Sequence, residues 1–113
     1  MSLSKKGIYV LFLLLFSFCS NAQPPLFKAP AYISRYAEEA VSQMCEFKIP
    51  ASVILAQAIF ESSCGTSELS LRSNNHFGIK CHLEWVGDTA IKDDDVSNEC
   101  FRSYPTVKDS YTD

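Results

Sequence analysis

The sequence predicts an α+β domain, and three observations carry that prediction. Apolar residues recur at three- and four-residue steps between Tyr32 and Phe47, as on one face of a helix. A second helical run, Ala51 to Phe60, is apolar nearly all round. From Trp85 the texture changes to short segments of β-branched and aromatic residues split by an acidic turn, which reads as a hairpin.

The chain has 113 residues, room for one small domain. It opens "MSLSKKGIYVLFLLLFSFCSNAQPP", with two lysines, an apolar run from Ile8 to Phe18, then small and polar residues before Gln23. That is the layout of a secretory signal peptide over residues 1–22, with Ser20 and Ala22 suited to cleavage ahead of Gln23. The apolar run falls short of the ~20 residues that cross a bilayer, so no membrane span is expected after cleavage. Bulky Phe18 speaks against lipid attachment at Cys19. The expected location is secreted or periplasmic.

Export places Cys45, Cys64, Cys81 and Cys100 in an oxidising compartment. An even count there favours two disulfides, although four cysteines allow three pairings and spacing alone does not choose among them. A zinc site is not expected, because Cys81-His82 is the only closely spaced Cys/His pair. The acidic run "DDDVSN" lacks the alternating ligands and central glycine of a calcium loop. No metal or other cofactor is therefore expected. Losing Lys5 and Lys6 with the signal leaves eight basic side chains against 13 acidic ones, a net charge near −5. That sign argues against nucleic acid as a partner, because phosphate binding needs the opposite charge.

The elements follow in order. Residues 23–30, with three prolines, read as a linker, and the domain runs over 31–113. The first helix carries Ile33, Tyr36, Ala37, Ala40, Val41, Met44 and Phe47 as its apolar stripe, with Arg35, Glu38, Glu39, Ser42 and Glu46 opposite. Pro50 stands where a first-turn proline is tolerated, and the helix it opens has only Ser52 and Gln57 as polar residues through Phe60. Such a helix belongs in the middle of a domain. Gly65 offers the left-handed residue that ends it, and Thr66 or Ser67 caps a short helix, "SELSLRS". In "NNHFGIKC", Asn74, Asn75 and Gly78 permit tight backbone. "WVGDTAIK" and "ECFRSY" supply the hairpin strands, and "YPTVKDSYTD" begins a last helix with Pro105 near its first turn.

Glu61 is the residue that this layout leaves unexplained. It ends a helix with little polar surface, seven residues after Ile54. Part burial and the carbonyl end of the helix would both disfavour the ionised form and raise its pKa. A carboxylic acid protonated near neutral pH is what a general acid needs, and protonating a glycosidic oxygen is one reaction that uses it. The bland alternative is a glutamate that reaches solvent at a frayed helix end. Glycoside hydrolysis usually requires a second carboxylate, and the hairpin offers Asp93, Asp94, Asp95 and Glu99. An acidic turn is also a common solvated tip.

The runs "IPASVILAQAIFESSCG", "NNHFGIKC", Trp-x-Gly at Trp85 to Gly87, "DDD" with "ECFRSY", and "SYTD" fall in an order that resembles the glucosaminidase family of peptidoglycan hydrolases, which are lysozyme-like enzymes. The resemblance covers Tyr32 to Asp113. It implies a lysozyme-like fold: a central buried helix, a small β-hairpin lobe and incomplete C-terminal helices, with 31–113 the N-terminal part of a glucosaminidase-type catalytic domain. It also implies hydrolysis of the β-1,4 bond between N-acetylglucosamine and N-acetylmuramic acid, with peptidoglycan glycan strands as partner and the protein a monomer. Glu61 matches the family's proton donor. Asp94 or Asp95 best matches its second acidic residue, with Glu99 a weaker match. Asn75, Phe77 and Gly78 would line the cleft. Trp85 and Tyr104 could stack on sugar faces, although a lone Trp is as often core. The resemblance pairs Cys81 with Cys100 and leaves Cys45 and Cys64 for each other. The alternative function is a module that binds wall glycan without cleaving it.

Overall fold

A 3-10 turn, Leu26–Lys28, runs straight into helix α1, Ala29–Phe47, in the computed structural model, which describes residues 26–113. The signal peptide and Cys19 lie outside the described residues. The linker expected to reach residue 30 gives way early, because Pro30 sits in the first turn of α1, where its missing N–H and fixed φ suit a helix.

The side of α1 turned inward is centred on Tyr32, Ala40 and Gln43, while Ile33, Val41 and Phe47 of the expected stripe are exposed. The helix is rotated because its inner groups find polar partners as well as apolar ones. The Tyr32 hydroxyl meets His76 and Tyr111, and Gln43 Nε2 donates to Glu39 at 2.8 Å and Thr112 at 3.2 Å.

Helix α2, Ala51–Ser62, packs against α1 through Ile54 and Ala58. Its apolar run is covered along one side rather than all round: Phe60 is 74% exposed. The helix ends before the expected glycine. Ser63, Cys64 and Gly65 all take left-handed backbone, at φ 51, 57 and 75, a conformation that costs an L-residue about 1–2 kcal/mol and a glycine little. Buried Ser62 braces this turn: its hydroxyl donates to Ala58 O at 2.5 Å and accepts from Gly65 N–H at 2.7 Å.

Helix α3, Glu68–Ser73, is capped by Ser67, whose side chain accepts from Ser70 N–H, and stops at left-handed Asn74. Strands β1, Thr89–Lys92, and β2, Glu99–Arg102, form the expected antiparallel hairpin, with Thr89 opposite Arg102 and Lys92 opposite Glu99. A third short segment extends this ribbon. Lys80 bridges to Phe101, Cys81 N–H donates to Cys100 O, and Arg102 N–H donates to Ile79 O, both at 2.9 Å. The Cys81–Cys100 disulfide joins the same two segments. Leu69, Ala90 and Phe101 form the small core beneath the ribbon. Helix α4, Val107–Thr112, opens on a capping box between Thr106 and Asp109 and lowers Tyr111 into the main core, against Tyr32, Ile54 and Ala58.

The expected bond between Cys45 and Cys64 is not formed. Cys64 is buried beside Tyr32, near the start of α1, whereas Cys45 is exposed near its end. At ~1.5 Å of helix rise per residue, the 13 residues from Tyr32 to Cys45 span ~20 Å, far beyond disulfide reach.

Candidate active site

Glu61 occupies the last turn of α2, and the loop after α3 is folded against its carboxylate. A β-carbon built at Gly78 would stand 3.6 Å from Glu61 Oε2, and Gly78 holds φ +64. The helix-end brace at Ser62 and this loop therefore meet at Glu61. Glu61 is exposed, against the expected part burial, because it lies with Phe60 on the side of α2 away from the α1 contact, where among the described residues only the Gly78 loop approaches it. Among the described residues, none makes a hydrogen bond or ion pair with it. One turn earlier on the same face, Gln57 helps to line a groove of about 260 Å³ together with Ile54, Phe77 and Tyr111.

Asn75 shapes the loop that touches Glu61 and does not itself line a cleft. It is 1% exposed, and its amide is spent on backbone. Nδ2 donates to Ile79 O and Arg102 O, both at 2.9 Å, and Oδ1 accepts from Phe77 N–H at 3.3 Å and Ile79 N–H at 3.0 Å. This ties the loop to itself and to β2. Phe77 is half-buried and meets Tyr111 edge-on, with ring centroids 4.8 Å apart. It therefore serves the core and the groove together.

The hairpin carboxylates gather at Lys80, a residue that sequence reasoning passed over. Its Nζ lies 2.9 Å from Glu99 Oε1, 3.5 Å from Asp94 Oδ2 and 3.6 Å from Asp95 Oδ2. The Glu99 hydrogen bond is the main cause that raises the Lys80 pKa, against a smaller opposing effect of burial. No ion pair or hydrogen bond joins Glu61 to Asp94 or Asp95 among the described residues. The Asp95 side chain is 88% exposed and that of Glu99 only 18%. One Glu99 oxygen, Oε2, is buried with no hydrogen-bond partner among the described residues.

Trp85 and Tyr104 form a corner of the ribbon and not an open stacking platform. Tyr104 is 6% exposed and donates its hydroxyl to Asp113 at 2.6 Å. Trp85 is half-buried: its indole N–H donates to Asp88 O, Arg102 lies 4.7 Å from its ring centroid, and Tyr104 meets it edge-on at 5.6 Å. Gly87 packs so closely on this ring that an added β-carbon would lie 2.4 Å from Cζ2. Arg102 also donates to Asp113 at 2.7 Å. Burial works against the ionised Asp113, but the hydrogen bonds from Tyr104 and Arg102 prevail and hold its pKa below the ordinary value. This clamp ties the ribbon to the end of α4.

Behind the loop, buried His76 accepts or donates at Nδ1 with the Tyr32 hydroxyl at 2.6 Å, and Tyr32 meets the Tyr111 hydroxyl at 2.9 Å. Burial, helped by Arg35, lowers the His76 pKa to about 4. Burial raises Tyr32 to about 12 and Tyr111 further. All three side chains are thus uncharged at neutral pH. No signal within the "NNHFG" run singles out His76 for this role, since its partners are remote in sequence.

Residues 37–113 match the model of the family described as Glucosaminidase, mannosyl-glycoprotein endo-beta-N-acetylglucosaminidase. The fold is similar to that of a peptidoglycan hydrolase from Sphingomonas sp. A1, with a TM-score of 0.64 and 25% identity over 73% of this chain and 56% of that one. It is also similar to the catalytic domain of the autolysin Auto from Listeria monocytogenes, with a TM-score of 0.60 and 26% identity over 98% of this chain and 64% of that one. The chain thus spans less than two thirds of the length of either structure. None of the curated proteins matches it.

Proposed function

Since the chain belongs to the glucosaminidase family, we propose that it is a cell-wall glycosidase that cleaves the β-1,4 bond between N-acetylglucosamine and N-acetylmuramic acid in peptidoglycan, with Glu61 as the proton donor. The observation that carries this reading is the position of Glu61: a carboxylate at the end of α2, unpaired among the described residues, beside Gly78 and one turn from an apolar groove. Protonating the glycosidic oxygen requires an acid that a polymer can reach, and the exposure of Glu61 meets that need. A glycan strand lying over the site would exclude water from the carboxylate as it binds.

The second carboxylate that such hydrolysis uses would come from Asp94 or Asp95, which Lys80 holds on the ribbon. Gly78 and Phe77 would form the wall beside Glu61, and half-buried Trp85 would contribute an apolar surface at the ribbon corner. The similarity to peptidoglycan hydrolases supports cell-wall glycan as substrate. The Cys81–Cys100 disulfide supports action outside the cytoplasm.

A second reading is a module that binds wall glycan without cleaving it. The two readings separate on incubating the protein with purified peptidoglycan and determining the sugar at each new reducing end by mass spectrometry. New ends at N-acetylglucosamine support the glycosidase and its bond choice. New ends at N-acetylmuramic acid overturn the bond choice, and co-sedimentation with peptidoglycan without new ends supports the binding module.

A further inference from the structure

We propose that Lys80 is a positioning residue of this site: its ammonium gathers the hairpin carboxylates and holds them in a set place relative to Glu61. The inference rests on the reading of Glu61 as the acid, and two sets of observations carry it.

First, Lys80 is firmly mounted. Backbone hydrogen bonds from Arg102 to Ile79 and from Cys81 to Cys100 flank it, Arg102 Nε donates to its carbonyl at 3.1 Å, and the Cys81–Cys100 disulfide begins at the next residue. Two residues before it, Gly78 lies against the Glu61 carboxylate. A short, cross-braced stretch of backbone therefore connects the cation to the acid's neighbour.

Second, the hairpin carboxylates depend on Lys80 for their placement. Three carboxylates within the six residues from Asp94 to Glu99 repel one another. Among the described residues, no other side chain pairs with any of the three; Lys92, directly opposite Glu99 in the register, makes no ion pair with it. The buried, unpartnered Oε2 of Glu99 adds to this dependence, because a carboxylate shielded from water needs a counter-charge. Exposed ion pairs singly contribute little to stability. One cation facing three anions instead sets geometry, and removing it frees the hairpin to move its carboxylates outward.

The test uses the full chain, purified peptidoglycan as substrate, and the Lys80→Met and Lys80→Arg variants. Lys80→Met is expected to lower kcat about tenfold or more while KM changes less than about twofold, and Lys80→Arg to recover most of the loss. In parallel, amide relaxation measured by NMR is expected to show Asp94, Asp95 and Glu99 losing order in Lys80→Met while the amides of α2 do not change. A Lys80→Met protein with unchanged kcat and an ordered hairpin overturns the proposal. If Lys80→Met does not fold, Lys80→Gln takes its place, and a hairpin as ordered as the wild type's again overturns the proposal. If the wild type releases no fragments, the glycosidase reading fails instead, and the amide order still decides whether Lys80 places the hairpin.

Discussion

Gly78 faces Glu61 across the end of α2: a β-carbon at Gly78 would stand 3.6 Å from Glu61 Oε2. That distance is ordinary packing, so space alone would admit an alanine. The backbone would not, because Gly78 holds φ +64, where an L-residue costs about 1–2 kcal/mol. Gly78→Ala is expected to lower stability by roughly that amount in urea unfolding, and to lower peptidoglycan hydrolysis by more than the unfolded fraction explains. Activity that tracks the folded fraction alone would mean that Gly78 does not tune Glu61.

Asn75 makes four hydrogen bonds to backbone from a buried position. Asn75→Ala leaves several of those groups unsatisfied and is expected to destabilise the protein by roughly 2–4 kcal/mol in the same unfolding measurement. A direct sugar contact would give a different signature, a raised KM with stability unchanged.

His76 makes stability depend on pH. Its folded-state pKa, about 4, lies below the ordinary 6.5, so the unfolded chain takes up the proton first as pH falls. Stability is present in full above about pH 6.5 and declines toward pH 4, by about 3 kcal/mol in total. Asp113, whose pKa is lowered, acts below its ordinary 3.8 and adds its loss in a separate, more acidic window. His76→Asn keeps an acceptor near the position of Nδ1 and removes the titration. Thermal melts of this variant are expected to show a shallower slope between pH 4 and 6.5 than the wild type; equal slopes would place the dependence elsewhere.

Gly87 and the single tryptophan, Trp85, offer an optical test of the ribbon corner. A β-carbon at Gly87 would fall 2.4 Å from Cζ2 and 2.8 Å from Cε2 of the indole, so the ring must move. Gly87→Ala is expected to shift the tryptophan emission to longer wavelength as Trp85 loses Arg102 and Tyr104. Unchanged emission would mean that the ring has room that the structure does not show.

Much of the fold was legible because its signals are local. The period of α1, Pro50 ahead of α2, Ser67 ahead of α3 and the acidic turn between β1 and β2 each act within a few residues. The position of Glu61 at a helix end was legible for the same reason. Side-chain roles that depend on distant partners were not. Tyr32 is separated by 44 residues from His76 and by 79 from Tyr111, and that network decides which side of α1 faces inward. Tyr104 reads as a stacking residue until Asp113 takes its hydroxyl, and Asn75 as a cleft residue until its amide is found spent on β2. Lys80 gave no warning, since a lysine in a loop is ordinarily just solvated.

The central claim is that Glu61 delivers the proton. Purified peptidoglycan digested by the wild type and by Glu61→Gln, with soluble fragments quantified after equal times, tests it most directly. The glutamine keeps the size of the side chain and removes the acid. Release by the wild type together with a loss of about a hundredfold or more in Glu61→Gln is the predicted result; equal release by both proteins would contradict it.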